Sequence, residues 1–249
     1  MNYSDMITEC ASEISVPCKS YVQKGVEVHE CNVNKIYSRK TGKNEGKYLT
    51  IFPSRDNSDE CVKGVIKNSI KKLLRFCGVH DGKLLVVGLG NENAVVDALG
   101  NEVTKRIRTG KIQDYYLASI APKVEGVTGI KSFEIVKAVV ESQRPDAVIA
   151  VDTLATGKIE RLGNCYQLTT AGICPGGGVD NPQPCLNRQS LSVPVVAIGV
   201  PLIIAAGNIT GTNGKIAGYA HYMLTPRDVD ALIDNCAKII AGAVNSLNR

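Results

Sequence analysis

The spacing of apolar and polar residues changes several times along the chain. From Gly25 to Ile51 apolar residues fall at alternate positions, first in VEVHECNVNKIY and again in KYLTIF, on either side of the polar stretch SRKTGKNEG. Period two around a turn rich in Gly, Asn and Lys predicts a hairpin-like pair of half-buried strands. Between Asp59 and Cys77 the period lengthens, and Val62, Val65, Ile66, Ile70, Leu73 and Leu74 share one face of an amphipathic helix. Alternation then gives way to short continuous apolar runs: KLLVVGLG (83–90), YYLASIAP (115–122), DAVIAVD (146–152) and VPVVAIGVPLII (193–204). Helical patterns near Asp97–Arg108 and over Ser132–Ser142 separate them. Such runs alternating with helices predict a mostly parallel sheet buried on both faces, in a single α/β domain. The closing TPRDVDALIDNCAKIIAGAVNSL predicts a last helix, with Thr225 as N-cap and Pro226 in its first turn. Residues 1–20 follow neither period and read as a loose leader.

Size and composition narrow the picture. The 249 residues suffice for one substantial domain, and 44% apolar with 21% charged residues is ordinary for a globular protein. The net charge of +5 is spread along the chain, with no basic block interleaved with aromatics, so direct nucleic-acid binding is not expected. No apolar run reaches membrane-spanning length, and the first residues lack the basic start and apolar core of a secretory signal. The expectation is a cytoplasmic protein. Its nine cysteines are odd in number and contain no C-x-x-C, and three histidines offer few co-ligands. That pattern argues against a zinc site or a disulfide framework and for small buried hydrophobes in a reducing compartment. No metal and no cofactor is expected.

Open parallel α/β sheets form their sites at the carboxyl ends of the strands. Two carboxylates fall there. Asp97 lies seven residues past Gly90, and Asp152 ends the run VIAVD. Aspartate is costly at the end of a buried strand unless it is paired or used, although a single one often caps the following helix. If the two meet, they share a proton. The ionised member can then take a proton from water while the protonated one donates to a carbonyl or a leaving amine. VVGLGN (86–91) also invites a dinucleotide reading, but Asn93 stands where a third glycine is needed. The GLGN of peptidyl-tRNA hydrolases would require a nearby histidine, and none occurs between His80 and His221. Otherwise the glycines serve a tight strand-to-loop turn. TAGICPGGGVDN (170–181) is a glycine-rich loop whose N–H groups suit a peptide or an anion.

LLVVGLGNENAVVDALGNEV, APKVEGVTGIKSFEIV, PDAVIAVDTLATGKIERLGNCYQLTTAGICPGGGVDN and VPVVAIGVP occur in this order, followed by the closing helix segment. Together they resemble the germination protease family of spore-forming bacteria. The resemblance implies an endopeptidase of atypical aspartic type that degrades small acid-soluble spore proteins in the germinating spore. It also implies synthesis as a zymogen, self-cleavage near the N-terminus, a homotetramer, and a fold similar to that of hydrogenase-maturation proteases. The family's catalytic aspartates fall on Asp97 and Asp152. Within the matching stretches Asn91, Thr128, Gly129, Gly176 and Gly177 are the candidates for substrate binding.

The family's substrates are cut within a motif of Thr-Glu, an apolar residue, then Ala-Ser-Glu, and ITECASEI (Ile7 to Ile14) resembles it. The leader therefore carries a copy of the substrate. Self-cleavage is expected between Glu9 and Cys10, making residues 1–9 a propeptide and 10–249 the protease domain. The plain alternative is that Thr8 or Ser12 caps a short helix. A cationic pocket is expected for Glu9, with Lys123, Arg161 and Arg188 as candidates. Three features depart from the family: Cys174 where a histidine is usual, a shorter segment between Ile204 and Tyr222, and Glu rather than Asp before the expected cut. They leave two other readings open. One is a shortened paralogue that binds spore proteins without cutting them. The other is a metal-dependent maturation-type protease using both aspartates and a histidine such as His221.

Overall fold

The computed structural model describes residues 4–175, 184–209 and 222–247, apart from the side chains of Ser12 and Glu13. Gly176, Gly177 and His221 lie outside the described residues. The N-terminal segment is not a loose leader. Helix α1 (Ile7–Ile14) packs Ile7 and Ala11 against Cys31, Tyr48 and Ala171, and Ile7 is 0% exposed. Strand β1 (Cys18–Gln23) follows and pairs antiparallel with β2 (Val26–Val33) through the two-residue turn Lys24-Gly25. Both turn residues have positive φ, the conformation that matches the twist of a tight hairpin. This hairpin was hidden because β1 has an exposed, polar face and little apolar alternation.

The expected strand pair is β2 with β3 (Gly46–Phe52), antiparallel as predicted, but the polar stretch between them holds helix α2 (Lys35–Thr41). Asn34 caps that helix by accepting from the N–H groups of Ile36 and Tyr37, and Gly42 ends it at φ 70°. Helix α3 (Asp59–Phe76) buries the expected face.

Next come β4 (Gly82–Gly88), helix α4 (Leu99–Thr104), the short β5 (Gly110–Ile112), β6 (Tyr115–Ile120) and helices α5 (Glu125–Thr128) and α6 (Ser132–Gln143). They are followed by β7 (Ala147–Thr156), β8 (Tyr166–Thr169), helix α7 (Arg188–Leu191), β9 (Val195–Ala205), helix α8 (Ala206–Ile209), β10 (Met223–Leu224) and helix α9 (Val229–Asn245). Among the described residues ten strands form one sheet in the order β1-β2-β3-β8-β9-β7-β4-β6-β5, with β10 beside β9. The inner strands β9, β7, β4 and β6 are parallel, and the flanking pairs are antiparallel. Both faces of the parallel part are covered. Leu84 and Val86 meet α3, α4 and α9 in the main core, while Leu85 and Val87 meet α6 on the other side. Each fully buried Leu or Val contributes about 1.5–3 kcal/mol relative to exposure.

Helix α9 starts three residues later than Thr225–Pro226 suggested. Pro226 instead accepts from Val229 N–H in a turn that precedes the helix, and Asp228 is the N-cap. The cysteines also differ from expectation: Cys18–Cys31 and Cys174–Cys185 are disulfides. Cys18 and Cys31 stand directly opposite each other in the β1–β2 register, and Cys174 and Cys185 flank the bridge of Ile173 with Leu186. Pairings across strands leave no short-spacing signature to read. Cys165 and Cys236 are free and buried, as expected for cysteines acting as small hydrophobes. Among the described residues no helix is long and apolar enough to cross a membrane.

Candidate active site

The site begins where two parallel strands part. β4 pairs with β7 as far as Gly88 opposite Val151. There β4 leaves the sheet, Leu89 N–H donating to Val151 O at 2.8 Å, while β7 continues to Thr156. The chain after β4 goes to β6 on one side and then crosses to β7 on the other, so the crevice at their carboxyl ends is a topological switch point. Asp152 is the first residue past the last β4 pairing.

Asp97 arrives from the β4 side. Gly90 takes φ +98°, and a Cβ there would stand 2.0 Å from Asp97 O, so only glycine lets the loop close so tightly. Asn101 on α4 donates from Nδ2 to Gly90 O at 3.1 Å. A single 3-10 turn, Val95–Asp97, brings the carboxylate round. Asp97 Oδ2 accepts from Asn91 N–H at 2.8 Å, and Thr153 Oγ1 donates to Val96 O at 2.9 Å, which ties the loop to β7. The Gly88 and Gly90 pair thus serves a tight turn and close packing.

Asp97 and Asp152 line one cleft of about 730 Å³, with Asp5, Asn91, Gln167 and Cys174 around them. Asp152 is 7% exposed, and its Oδ1 accepts from Thr153 N–H at 2.9 Å. Burial pushes its pKa well above the ordinary aspartate range, the negative charges of Asp97 and then Asp5 add to the rise, and the Thr153 bond opposes it. Burial also raises the pKa of Asp97, against the pull of the Asn91 hydrogen bond. With burial raising both and the charge of Asp97 opposing that of Asp152, one proton is favoured on Asp152 in this partly enclosed cleft.

The other sequence candidates separate. Asn91 lines the cleft and acts through its backbone N–H. Thr128 ends α5 with its hydroxyl bonded to Val124 O and Ile130 O, and Gly129 takes φ +71° as the cap. Their neighbours Val124, Glu125 and Gly126 line the cleft, whereas Thr128 and Gly129 do not. Glu9 and Cys10 lie inside α1, so the bond between them is helical, and Glu9 is 8% exposed. Of the three candidate cations, Arg161 meets Glu9, at 3.7 Å, while Lys123 pairs with Glu92. Asp5, Thr156, Gly157 and Gln167 were not foreseen. Their contacts join residues some 150 positions apart, which no local spacing reveals. Among the described residues no three His, Cys, Asp or Glu side chains group as metal ligands.

The family model for germination protease matches residues 4–215, which include both aspartates and all of α1. The chain belongs to the germination protease family. The germination protease of Bacillus subtilis is 34% identical over 80% of this chain, and the alignment covers 61% of that relative's length. Those of Clostridium perfringens and Clostridium tetani are 31% and 32% identical over 90% and 94% of this chain, covering 85% and 89% of their own. This chain therefore spans about three-fifths of the Bacillus germination protease and most of the clostridial ones. Among solved structures, a NiFe hydrogenase maturation protease from Thermococcus kodakarensis aligns with a TM-score of 0.41 at 16% identity, over 72% of this chain and 99% of that one.

Proposed function

We propose that this chain is an endopeptidase in which Asp97 and Asp152 act as an aspartic pair. The observation that carries the reading is the placement in one cleft of a carboxyl from the turn after β4 and another from β7 just past its last β4 pairing, with Asp152 buried and its charge opposed by Asp97. Asp152, the more buried, holds the proton. Asp97, steadied by Asn91 N–H, is the ionised partner. Asp97 takes a proton from a water molecule as the water attacks the peptide carbonyl, and Asp152 donates to the carbonyl oxygen. Return of a proton to the departing amine completes the cleavage. The proposed substrates are small acid-soluble spore proteins in the spore core, and the proposed active form is a homotetramer. Both rest on membership in the family.

The same reading includes a zymogen cut between Glu9 and Cys10. Because that bond lies in α1, the helix must unwind before an extended segment can enter a cleft, in its own chain or another. The test is intact mass and N-terminal sequence of wild type, Asp97→Asn and Asp152→Asn, held concentrated at mildly acidic pH and then neutralised. Wild type should become a species beginning Cys-Ala-Ser-Glu while both variants stay whole. Processing of either variant at the wild-type rate would remove the aspartate pair from the mechanism.

A further inference from the structure

The N-terminal segment lies in a groove along the part of β7 that β4 leaves uncovered. Asp5 N–H donates to Ala155 O at 2.9 Å, and Asp5 Oδ2 accepts from Ala155 N–H at 2.8 Å. Gln167 brackets the next residues, donating from Nε2 to Asp5 O at 3.0 Å and accepting at Oε1 from Ile7 N–H at 2.8 Å. Backbone pairing to a strand end, with side chains held in pockets, is how extended peptides dock on sheets.

Glu9 then enters a built cradle. Thr156 Oγ1 donates to its Oε1 at 2.5 Å, Gly157 N–H donates to its Oε2 at 2.7 Å, and the Arg161 guanidinium stands 3.7 Å away. Arg161 is itself held, donating to Thr8 Oγ1 and lying over the Phe52 ring at 5.5 Å. A Cβ at position 157 would sit 2.8 Å from Glu9 Oε2, so a side chain there would crowd the carboxylate that the backbone N–H holds and make it shift. A hydroxyl, a backbone N–H and a guanidinium around one buried carboxylate match an anion and discriminate against a neutral amide.

We propose that Thr156, Gly157 and Arg161 form a specificity subsite for a glutamate side chain of a peptide substrate, and that residues 4–9 are the chain's own occupant of it. This rests on the proteolytic reading above. The segment runs in the same sense as β7, from Asp5 on Ala155 to Glu9 at Thr156 and Gly157. From Asp152 to Thr156 the strand advances four residues, about 13 Å. An extended peptide with its glutamate in the cradle therefore presents, to the aspartates, the bond about four residues towards its N-terminus. In ITECASEI, with the cut before Cys10, the glutamate so placed is the second one, Glu13. The subsite thus reads the glutamate after the cut.

The test uses full-length protein and the peptide Ile-Thr-Glu-Cys-Ala-Ser-Glu-Ile, with versions carrying glutamine for the first or the second glutamate. Binding is measured by fluorescence anisotropy in the uncleaving Asp152→Asn background, and hydrolysis in chains with Asp152 intact. Glutamine at the second position should weaken binding about tenfold to a hundredfold, as loss of a charge-assisted contact does. Glu9→Gln should tighten binding of the parent peptide by weakening its internal competitor. Arg161→Gln and Gly157→Ala should bring the preference at the second position close to unity, chiefly through KM, with melting curves confirming that both fold. Full preference at that position in both variants overturns the proposal, whatever the activity. Absence of hydrolysis with the Arg161-dependent binding preference intact would instead overturn the proteolytic reading and leave the glutamate receptor standing.

Discussion

Replacing Asp152 with asparagine separates the chemical role of this carboxyl from its structural cost. Folding buries Asp152 beside Asp97 and near Asp5, so its pKa is higher in the folded chain than in the unfolded one. A carboxyl raised on folding favours the folded state while protonated in both states, and this favour is lost as pH rises from the unfolded value of about 3.9 towards the folded one. At neutral pH the wild type therefore carries a penalty that asparagine, of nearly the same shape and still able to accept from Thr153 N–H, does not. Each unit of difference between folded and unfolded pKa corresponds to about 1.4 kcal/mol. For a chain of this length each kcal/mol moves the melting temperature by about 2–4 °C. Thermal melts of both proteins from pH 4 to pH 8 should show the variant the more stable at pH 7, with the gap closing towards pH 4. Activity should move the opposite way, falling about a hundredfold to ten-thousandfold, the span of a lost general acid or base. A variant less stable than wild type at neutral pH, or a gap independent of pH, would refute the argument that burial and Asp97 disfavour the charge. Retained activity would refute the assignment of Asp152.

Three further outcomes follow from the same contacts. Ile7→Ala removes a fully buried anchor of α1, worth about 2–5 kcal/mol, and should speed the proposed cut at Glu9–Cys10 as followed by intact mass; an unchanged rate would mean that unwinding does not limit it. Gly90→Ala places a Cβ against Asp97 O at a φ of +98° and should lower both melting temperature and proteolysis, whereas full activity would show that the loop can relax. Glu30 is 3% exposed; burial works to raise its pKa, but Lys72 and Lys47 outweigh it and hold it below the ordinary value. Its contribution is therefore present above the unfolded pKa and lost as pH falls through the folded one, so Glu30→Gln should cost about 1.5–3 kcal/mol in denaturant melts at pH 7 and less near pH 3.

How much of this was legible depended on whether the cause was local. The strands 83–90 and 146–152 could be read because burial on both faces leaves a continuous apolar run, and Asp152 stood out because a charge interrupts such a run. Asp97 was legible as a carboxylate just beyond a strand end. Strand β8, YQLT, has no pattern of its own, because it is fixed by β3 and β9 on either side. Helix α1 stood only as the plain alternative, a short helix capped by Thr8 or Ser12; its N-cap is Met6, and its apolar residues find their partners at Cys31, Tyr48 and Ala171. Seen alone, those residues look like part of an exposed tail. Arg161 was one cation among three until the fold brought it to Glu9. Thr156 and Gly157 carried no signal at all, since a hydroxyl and a glycine after a strand are ordinary.

The unequal lengths of two neighbouring strands account for both parts of the site. If β7 ended with its last β4 pairing at Val151, Asp152 would be a loop residue open to water and its charge would cost little. The five further residues, Asp152–Thr156, keep the aspartate in the sheet and under cover, which is what allows Asp97 to oppose its ionisation. The same extension leaves Ala155 with backbone groups that β4 cannot satisfy, and Asp5 supplies partners for both its N–H and its C=O. Buried backbone groups demand such partners. A chain that brings two aspartates into one cleft in this way therefore also builds an adjoining strand edge that must be filled, by its own N-terminal segment or, on the proposal above, by a peptide that replaces it.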